Sequence, residues 1–454
     1  MGESDPATVA EASDSAGPRE RGRNFRLSVP VWRGTVGGMT DQTFVIVGAS
    51  LAGGKAAETL REEGFTGRVV LIGAETEPPY ERPPLSKGYL SGSDERSSAY
   101  LHEAGWWADH DIDWRPGTVA VGLDPAARTV ALHPADTIGY DRLLLATGSA
   151  VRTLDVPGAD LSGIHHLRTL DQSDALLAAF REGGPVVVVG AGWIGLETAA
   201  AARGHGCPVT VVETAALPLQ RVLGDEVAAV YRDLHRAHGV EFRFGGGVRE
   251  FRGADGALEE VVLEDGTALD AATAVVGVGI RPVTELAQEA GLRVDNGIVT
   301  DALLRTSDPA IFACGDVASS LNPLLGRHLR VEHWANALNG GPAAARAMLG
   351  GTDEYAPLPY FFSDQYDLGM EYSGWVAPGE YDRVVFRGDP TANPQAPEFL
   401  AFWLRDGAVL AGMNANVWDV NEDIQELVKA GLDGRAADPD KLADPDVPLA
   451  DTLV

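Results

Sequence analysis

The chain has 454 residues, 45% of them apolar, and a formal net charge of −30 from 36 basic and 66 acidic side chains. That length exceeds what one hydrophobic core supports and predicts several domains, while no run approaches the ~20 consecutive apolar residues of a membrane span. The negative field argues against nucleic acid and anionic membranes as partners.

Residues 1–41 are polar and glycine-rich with scattered charges, and predict a disordered tail. The first ordered signal is the apolar run Phe44-Val45-Ile46-Val47, followed by Gly48-Ala49-Ser50-Leu51-Ala52-Gly53 and a helix-like stretch through Arg61. A buried parallel strand, a tight turn and a helix N-terminus in that order turn backbone N–H groups toward a pyrophosphate. Gly48, Ser50, Ala52 and Gly53 are the candidate contacts, with Ser50 where the motif expects its middle glycine. The second strand, Val69 to Gly73, is followed by Glu75, whose carboxylate can accept from both hydroxyls of a ribose.

Tyr140 to Ser149 reads as a short buried strand ending in a tight turn at Thr147 and Gly148. A second fingerprint follows: Val186 to Val189, then Gly190-Ala191-Gly192-Trp193-Ile194-Gly195-Leu196-Glu197 and an alanine-rich helix. Gly190, Gly192, Ile194 and Gly195 are its candidate nucleotide contacts. Val209 to Val212 ends in Glu213, an acid that favours NADH over NADPH because a 2′-phosphate would meet like charge. Arg221, further on, softens that preference. Alternating strands over 259–280 end in Gly277 and Gly279, which permit a close backbone approach, and Pro282 stops the run.

Two fingerprints on one chain call for two dinucleotides, a bound flavin and a diffusing nicotinamide held face to face, which is the design of an electron-transfer enzyme. Cys207 and Cys314 stand far apart, so the chain lacks a disulfide framework and a catalytic dithiol, and a reducing cytoplasm is its expected location. The portion from 359 carries aromatic and acidic residues without a glycine fingerprint. The expected fold is therefore α/β, with two Rossmann-like nucleotide-binding domains and a C-terminal α+β domain. Residues 42–150 and 275–358 would bind FAD, residues 151–274 NAD, and residues 359–454 would form an interface domain.

Six motifs in order sharpen this: Glu81-Arg82-Pro83-Pro84-Leu85-Ser86-Lys87, Leu145-Ala146-Thr147-Gly148, Leu167-Arg168-Thr169, Cys314-Gly315-Asp316, Glu332-His333-Trp334-Ala335-Asn336-Ala337 and Phe362-Ser363-Asp364-Gln365-Tyr366. With them the chain, from Phe44 to about Ala430, resembles the FAD-dependent, NADH-linked ferredoxin reductases that serve oxygenases. The resemblance implies that Ala52 and Gly53 approach the FAD pyrophosphate and that Glu75 takes the adenosine ribose. It puts Arg82 and Lys87 on the flavin side, the Ala120 backbone at the adenine, Arg168 on FAD, Asp316 on the ribityl chain and Trp334 against the isoalloxazine. Glu197 would lie near the nicotinamide, making Lys87, Glu197 and Trp334 the catalytic set. Lys87 is one of only four lysines, and an ammonium beside a flavin stabilises the charge that arrives with hydride.

The resemblance also implies a two-iron ferredoxin as partner and an oxygenase behind it. Tyr360 and Phe362 stand where the family often has tryptophan, at the presumed electron exit. His333 receives no chemistry, and Cys314, His102, Trp106, Trp107 and His110 are expected to be structural. Two other readings stay open: a reductase of the same fold acting on a small acceptor such as monodehydroascorbate, oxygen or nitrite, and a redox-responsive flavoprotein. Ser86 in place of a cysteine disfavours coenzyme A disulfide reduction.

Overall fold

A computed structural model describes residues 41–454. Of the tail expected over 1–41, all but Asp41 lies outside the described residues. Two five-stranded parallel sheets form the nucleotide-binding portion. The first runs Ile311–Ala313, Arg142–Leu145, Thr43–Val47, Arg68–Ile72, Ile112–Arg115. The second runs Val240–Phe244, Val209–Glu213, Val186–Val189, Thr273–Val276, Ile164–His165. Their central strands are unbroken apolar runs because helices or sheets cover both faces, leaving no solvent side for a polar residue. In each sheet the first glycine-turn strand is central and its helix follows at once, Leu51–Glu62 in one and Trp193–Gly204 in the other.

The boundary expected at 275 falls inside a strand. Thr273–Val276 is wholly buried and pairs with Val186–Val189, Val275 lying opposite Val188, so this run completes the second sheet. The crossing back to the first unit comes just after it, where Ile280–Pro282 pairs antiparallel with Ser149–Val151.

The C-terminal portion is an antiparallel sheet ordered Tyr360–Gln365, Leu368–Gly374, Ala408–Ala415, Phe399–Arg405, Arg383–Arg387, with the helix Asn421–Leu432 on one face. Alternation along one strand explains its placement. Leu400, Phe402 and Leu404 pack with Ile424, Leu427 and Val428 of the helix. Phe399, Ala401 and Trp403 face the other way, into a core shared with Val188, Leu223 and Tyr231 of the second nucleotide unit. The Trp403 indole also donates to the Leu223 carbonyl at 3.1 Å. Among the described residues no helix is long and apolar enough to cross a membrane.

Candidate dinucleotide and electron-transfer site

A cleft of ≈ 700 Å³ runs past both glycine turns and is walled by all three portions of the chain. Backbone geometry at its two ends is nearly the same. Gly48 has φ +115° and a Cβ there would lie 2.1 Å from the Ala146 carbonyl; Gly190 has φ +100° and its Cβ would lie 2.4 Å from the Gly277 carbonyl. No other residue fits either position. Ser50 differs, because its φ of −109° is ordinary extended backbone, which explains why serine is accepted there. Neither 12-residue helix has an acid in its first turn, so the free N–H groups at each N-terminus face the cleft uncompensated.

Gly53 and Gly195 are fixed by packing against their own turns. Their Cβ atoms would sit 1.8 Å from the Gly48 carbonyl and 2.0 Å from the Gly190 carbonyl, so they let each helix press against its own turn and do not line the cleft. Ala120 also stands outside the cleft walls. It lies on the edge strand Val119–Asp124, whose approach is anchored to the Glu75 loop by Gly117 N–H to Glu75 O at 3.0 Å and Thr118 N–H to Gly73 O at 2.8 Å.

At the first end, Glu75 accepts from the Tyr80 hydroxyl at 2.5 Å and pairs with Arg82 at 3.3 Å. Burial raises the Tyr80 phenol above its ordinary value, so it stays a donor. Arg82 also donates to the Arg168 carbonyl, and Arg168 pairs with Asp316 at 2.9 Å. Burial, reinforced by the like charge of Arg82, lowers the Arg168 guanidinium below its ordinary value. Its Nε is buried without a protein partner, a donor left for an acceptor of another kind. Together with the glycine cradle and the unmatched helix N–H groups, this donor set fits a phosphate-bearing dinucleotide such as FAD. Thr147 and Gly148 complete this wall, with the Thr147 hydroxyl donating to Val283 O at 2.7 Å.

Midway along the cleft, Lys87 pairs with Glu197 at 2.7 Å, the lysine side chain 15% exposed and the glutamate 3%. Glu197 further accepts from the hydroxyls of Ser86 and, at 2.7 Å, Ser363. The expected lone ammonium is therefore half of a neutral pair, and acts on its surroundings as a dipole. Lys87 also lies 5.5 Å from the centre of the Phe362 ring, which in turn meets Trp334 edge-on at 5.8 Å. The Trp334 indole donates to Glu81 at 2.9 Å, and burial raises the Glu81 carboxyl against the pull of that bond. His333 shares this wall, packed 4.5 Å from Phe361, its Nδ1 buried without a partner and its ring pushed down to about 4 by burial. Sequence spacing gave no sign of the Lys87–Glu197 pairing or of its two serines. Their one signal was membership of the quoted motifs.

At the second end Gly190, Gly192, Ile194, Gly277 and Gly279 line the cleft with Glu213 and Arg221. Glu213 accepts from the backbone N–H of Ala191 and of Ala215, each at 2.8 Å, so its carboxylate is held across the mouth of the glycine turn with acceptor capacity left over. Cys314 borders the cleft but is buried, its thiol pushed up to about 12, and Cys207 is buried elsewhere. His102, Trp106 and His110 form a stacked column, at 3.7 and 3.9 Å, over buried Trp107. No acidic, histidine or cysteine cluster able to hold a metal occurs among the described residues.

Comparison with known proteins agrees with this geometry. Residues 42–341 match the family model described as pyridine nucleotide-disulphide oxidoreductase, and residues 360–453 match a reductase C-terminal model. The chain is 42% identical over 412 residues, 90% of its own length and 99% of the relative's, to the ferredoxin–NAD(+) reductase component of the anthranilate 1,2-dioxygenase system of Burkholderia cepacia. It is 36% identical over 415 residues, covering 90% and 96%, to putidaredoxin reductase of Pseudomonas putida. Its fold matches a chain of the covalent putidaredoxin reductase–putidaredoxin complex with a TM-score of 0.84 at 35% identity, over 91% of this chain and 98% of that one.

Proposed function

Since the chain belongs to the pyridine nucleotide-disulphide oxidoreductase family, we propose that it is a cytoplasmic flavoprotein reductase carrying electrons from NADH through FAD to a two-iron ferredoxin, and through it to an oxygenase. The observation that carries this reading is one cleft joining two glycine cradles, with the neutral Lys87–Glu197 pair between them and no pair of cysteines beside it. Bound FAD supplies the exchange of a two-electron donor for one-electron delivery.

Everything else is the work of this chain's own groups. The amides following Gly48, with Ser50 and Ala52, hold the FAD pyrophosphate, Glu75 takes the ribose, and Arg168 Nε and Asp316 fix the linking chain. Gly190, Gly192 and Ile194 hold the NADH pyrophosphate, and Glu213 accepts from the adenosine ribose while repelling a 2′-phosphate. The backbone at Gly277 and Gly279 lets the nicotinamide end come close. Lys87, Glu197 and Trp334 border the place where the two rings meet, and they orient the rings and exclude water. Hydride transfer needs no general base, which accords with a neutral, buried His333. In this scheme residues 42–150 and 280–358 serve FAD, residues 151–279 serve NADH, and residues 359–454 complete the acceptor side.

The test is NADH-dependent cytochrome c reduction with and without a two-iron ferredoxin. The expected result is a rate set by ferredoxin concentration, and a rate indifferent to ferredoxin would refute the partner. Rapid NADH consumption with oxygen or a small acceptor alone would favour the small-acceptor reading, and slow consumption with every acceptor a sensor.

A further inference from the structure

Behind Glu197 lies a buried chain of hydrogen bonds leading away from the cleft. The Ser363 hydroxyl contacts Glu197 Oε1 at 2.7 Å, and Gln365 Nε2 contacts Ser363 Oγ at 3.1 Å. His235 Nε2 meets Gln365 Oε1 at 2.8 Å, and the Tyr366 hydroxyl meets His235 Nδ1 at 3.1 Å. Ser363 and Gln365 are 1% exposed and His235 0%, whereas Tyr366 is only partly buried and stacks on His238 at 3.8 Å.

The direction of every bond follows from the Lys87–Glu197 pair. An ionised carboxylate only accepts, so Ser363 must donate to it and can take the Gln365 amide on its own oxygen. Gln365 then offers its carbonyl to His235, which must carry its proton on Nε2 and accept from Tyr366 on Nδ1. Four donors in line thus point toward one charge, an arrangement in which each bond polarises the next. The chain also joins separate parts of the fold: His235 belongs to the helix Gln220–Ala237, while Ser363 and Gln365 belong to the first strand of the C-terminal sheet.

We propose that Gln365 and His235 are positioning residues which, through Ser363, fix the Glu197 carboxylate and with it the Lys87 ammonium, so that the seating of the C-terminal sheet sets the geometry of the hydride site. The proposal rests on the function given above. Without the relay the Glu197 carboxylate is less firmly fixed, its contact with Lys87 loosens, and a less compensated cation favours electron uptake beside it.

The experiment uses the full-length FAD-loaded protein with Gln365→Leu, His235→Leu, His235→Gln and Tyr366→Phe. The midpoint potential of bound FAD and the NADH dependence of its reduction rate are measured. Gln365→Leu and His235→Leu raise the potential and lower the limiting rate about tenfold, with half-saturation by NADH within about twofold, on the scale of a hydrogen bond to a charged group. His235→Gln, whose amide nitrogen can occupy the Nε2 position, restores both quantities toward the parent. Tyr366→Phe, a mild change that preserves packing, moves the potential the same way by less. Unchanged potentials in all four variants, or His235→Gln as impaired as His235→Leu, overturn the relay. A parent protein that NADH does not reduce refutes the proposed function itself, and the relay with it.

Discussion

Removing both members of the Lys87–Glu197 pair should cost less than the sum of removing each one alone. Glu197 is 3% exposed and Lys87 15%, so each desolvates the other's surroundings, and the glutamate has less access to water. Breaking a buried pair from one side typically costs ~3–5 kcal/mol, because a charge is stranded. Lys87 borders the cleft and can be rehydrated there, which puts Glu197→Gln at about 2 kcal/mol, below that range. Lys87→Met strands the deeper charge, cushioned only by the hydroxyls of Ser86 and Ser363, and is expected at about 3–4 kcal/mol. The double variant leaves no unpaired charge, and a coupling of about 2 kcal/mol should separate it from the sum of the singles. Urea unfolding of the four FAD-free proteins, followed by tryptophan fluorescence, measures the cycle. Additivity within about 0.5 kcal/mol would refute the pairing, and a larger loss in Glu197→Gln than in Lys87→Met would refute the burial argument.

Glu213→Ala removes the charge that opposes a 2′-phosphate, and the ratio of kcat/KM for NADPH over NADH should rise at least about tenfold, within the 1–3 kcal/mol scale of a single recognition contact; an unchanged ratio removes Glu213 from the ribose. Ser50→Gly should leave FAD affinity within about threefold, since the backbone at φ −109° does not need glycine, whereas Gly48→Ala, at φ +115° with a carbonyl 2.1 Å from the new methyl, should abolish FAD retention. Equal effects of the two, judged by FAD titration, would contradict that account. His235 is pushed down to about 4 by burial, so below its unfolded pKa of about 6.5 the unfolded chain binds a proton that the folded protein refuses. Its contribution to stability is intact above that pH and is lost as pH falls from about 6.5 toward 4. His235→Gln should therefore flatten the acid side of the stability profile measured by urea midpoints, and a parallel profile would count against it.

What could be read from the sequence was whatever is local. Gly48 and Gly190 announce themselves because a positive φ under a neighbouring carbonyl admits nothing else, and Glu75 and Glu213 because a strand end fixes where the next residues stand. Gly53 and Gly195 press against their own turns, a use of glycine that the motif does not distinguish from approach to a ligand. Thr273–Val276 was cut by a domain boundary because an apolar run does not state which sheet it joins. Lys87 and Glu197, from different nucleotide units, and Ser363, from the C-terminal sheet, meet only after folding, so their shared charge balance has no signature in spacing. Ala120 was placed by resemblance alone and stands outside the cleft walls.

The central claim is that one cleft brings NADH against a bound flavin. The visible spectrum of the purified protein, recorded anaerobically before and after NADH, tests it most directly. A flavin spectrum that bleaches on addition of NADH is the predicted result. A protein that remains colourless after incubation with FAD, or one whose bound flavin NADH fails to bleach, would contradict it.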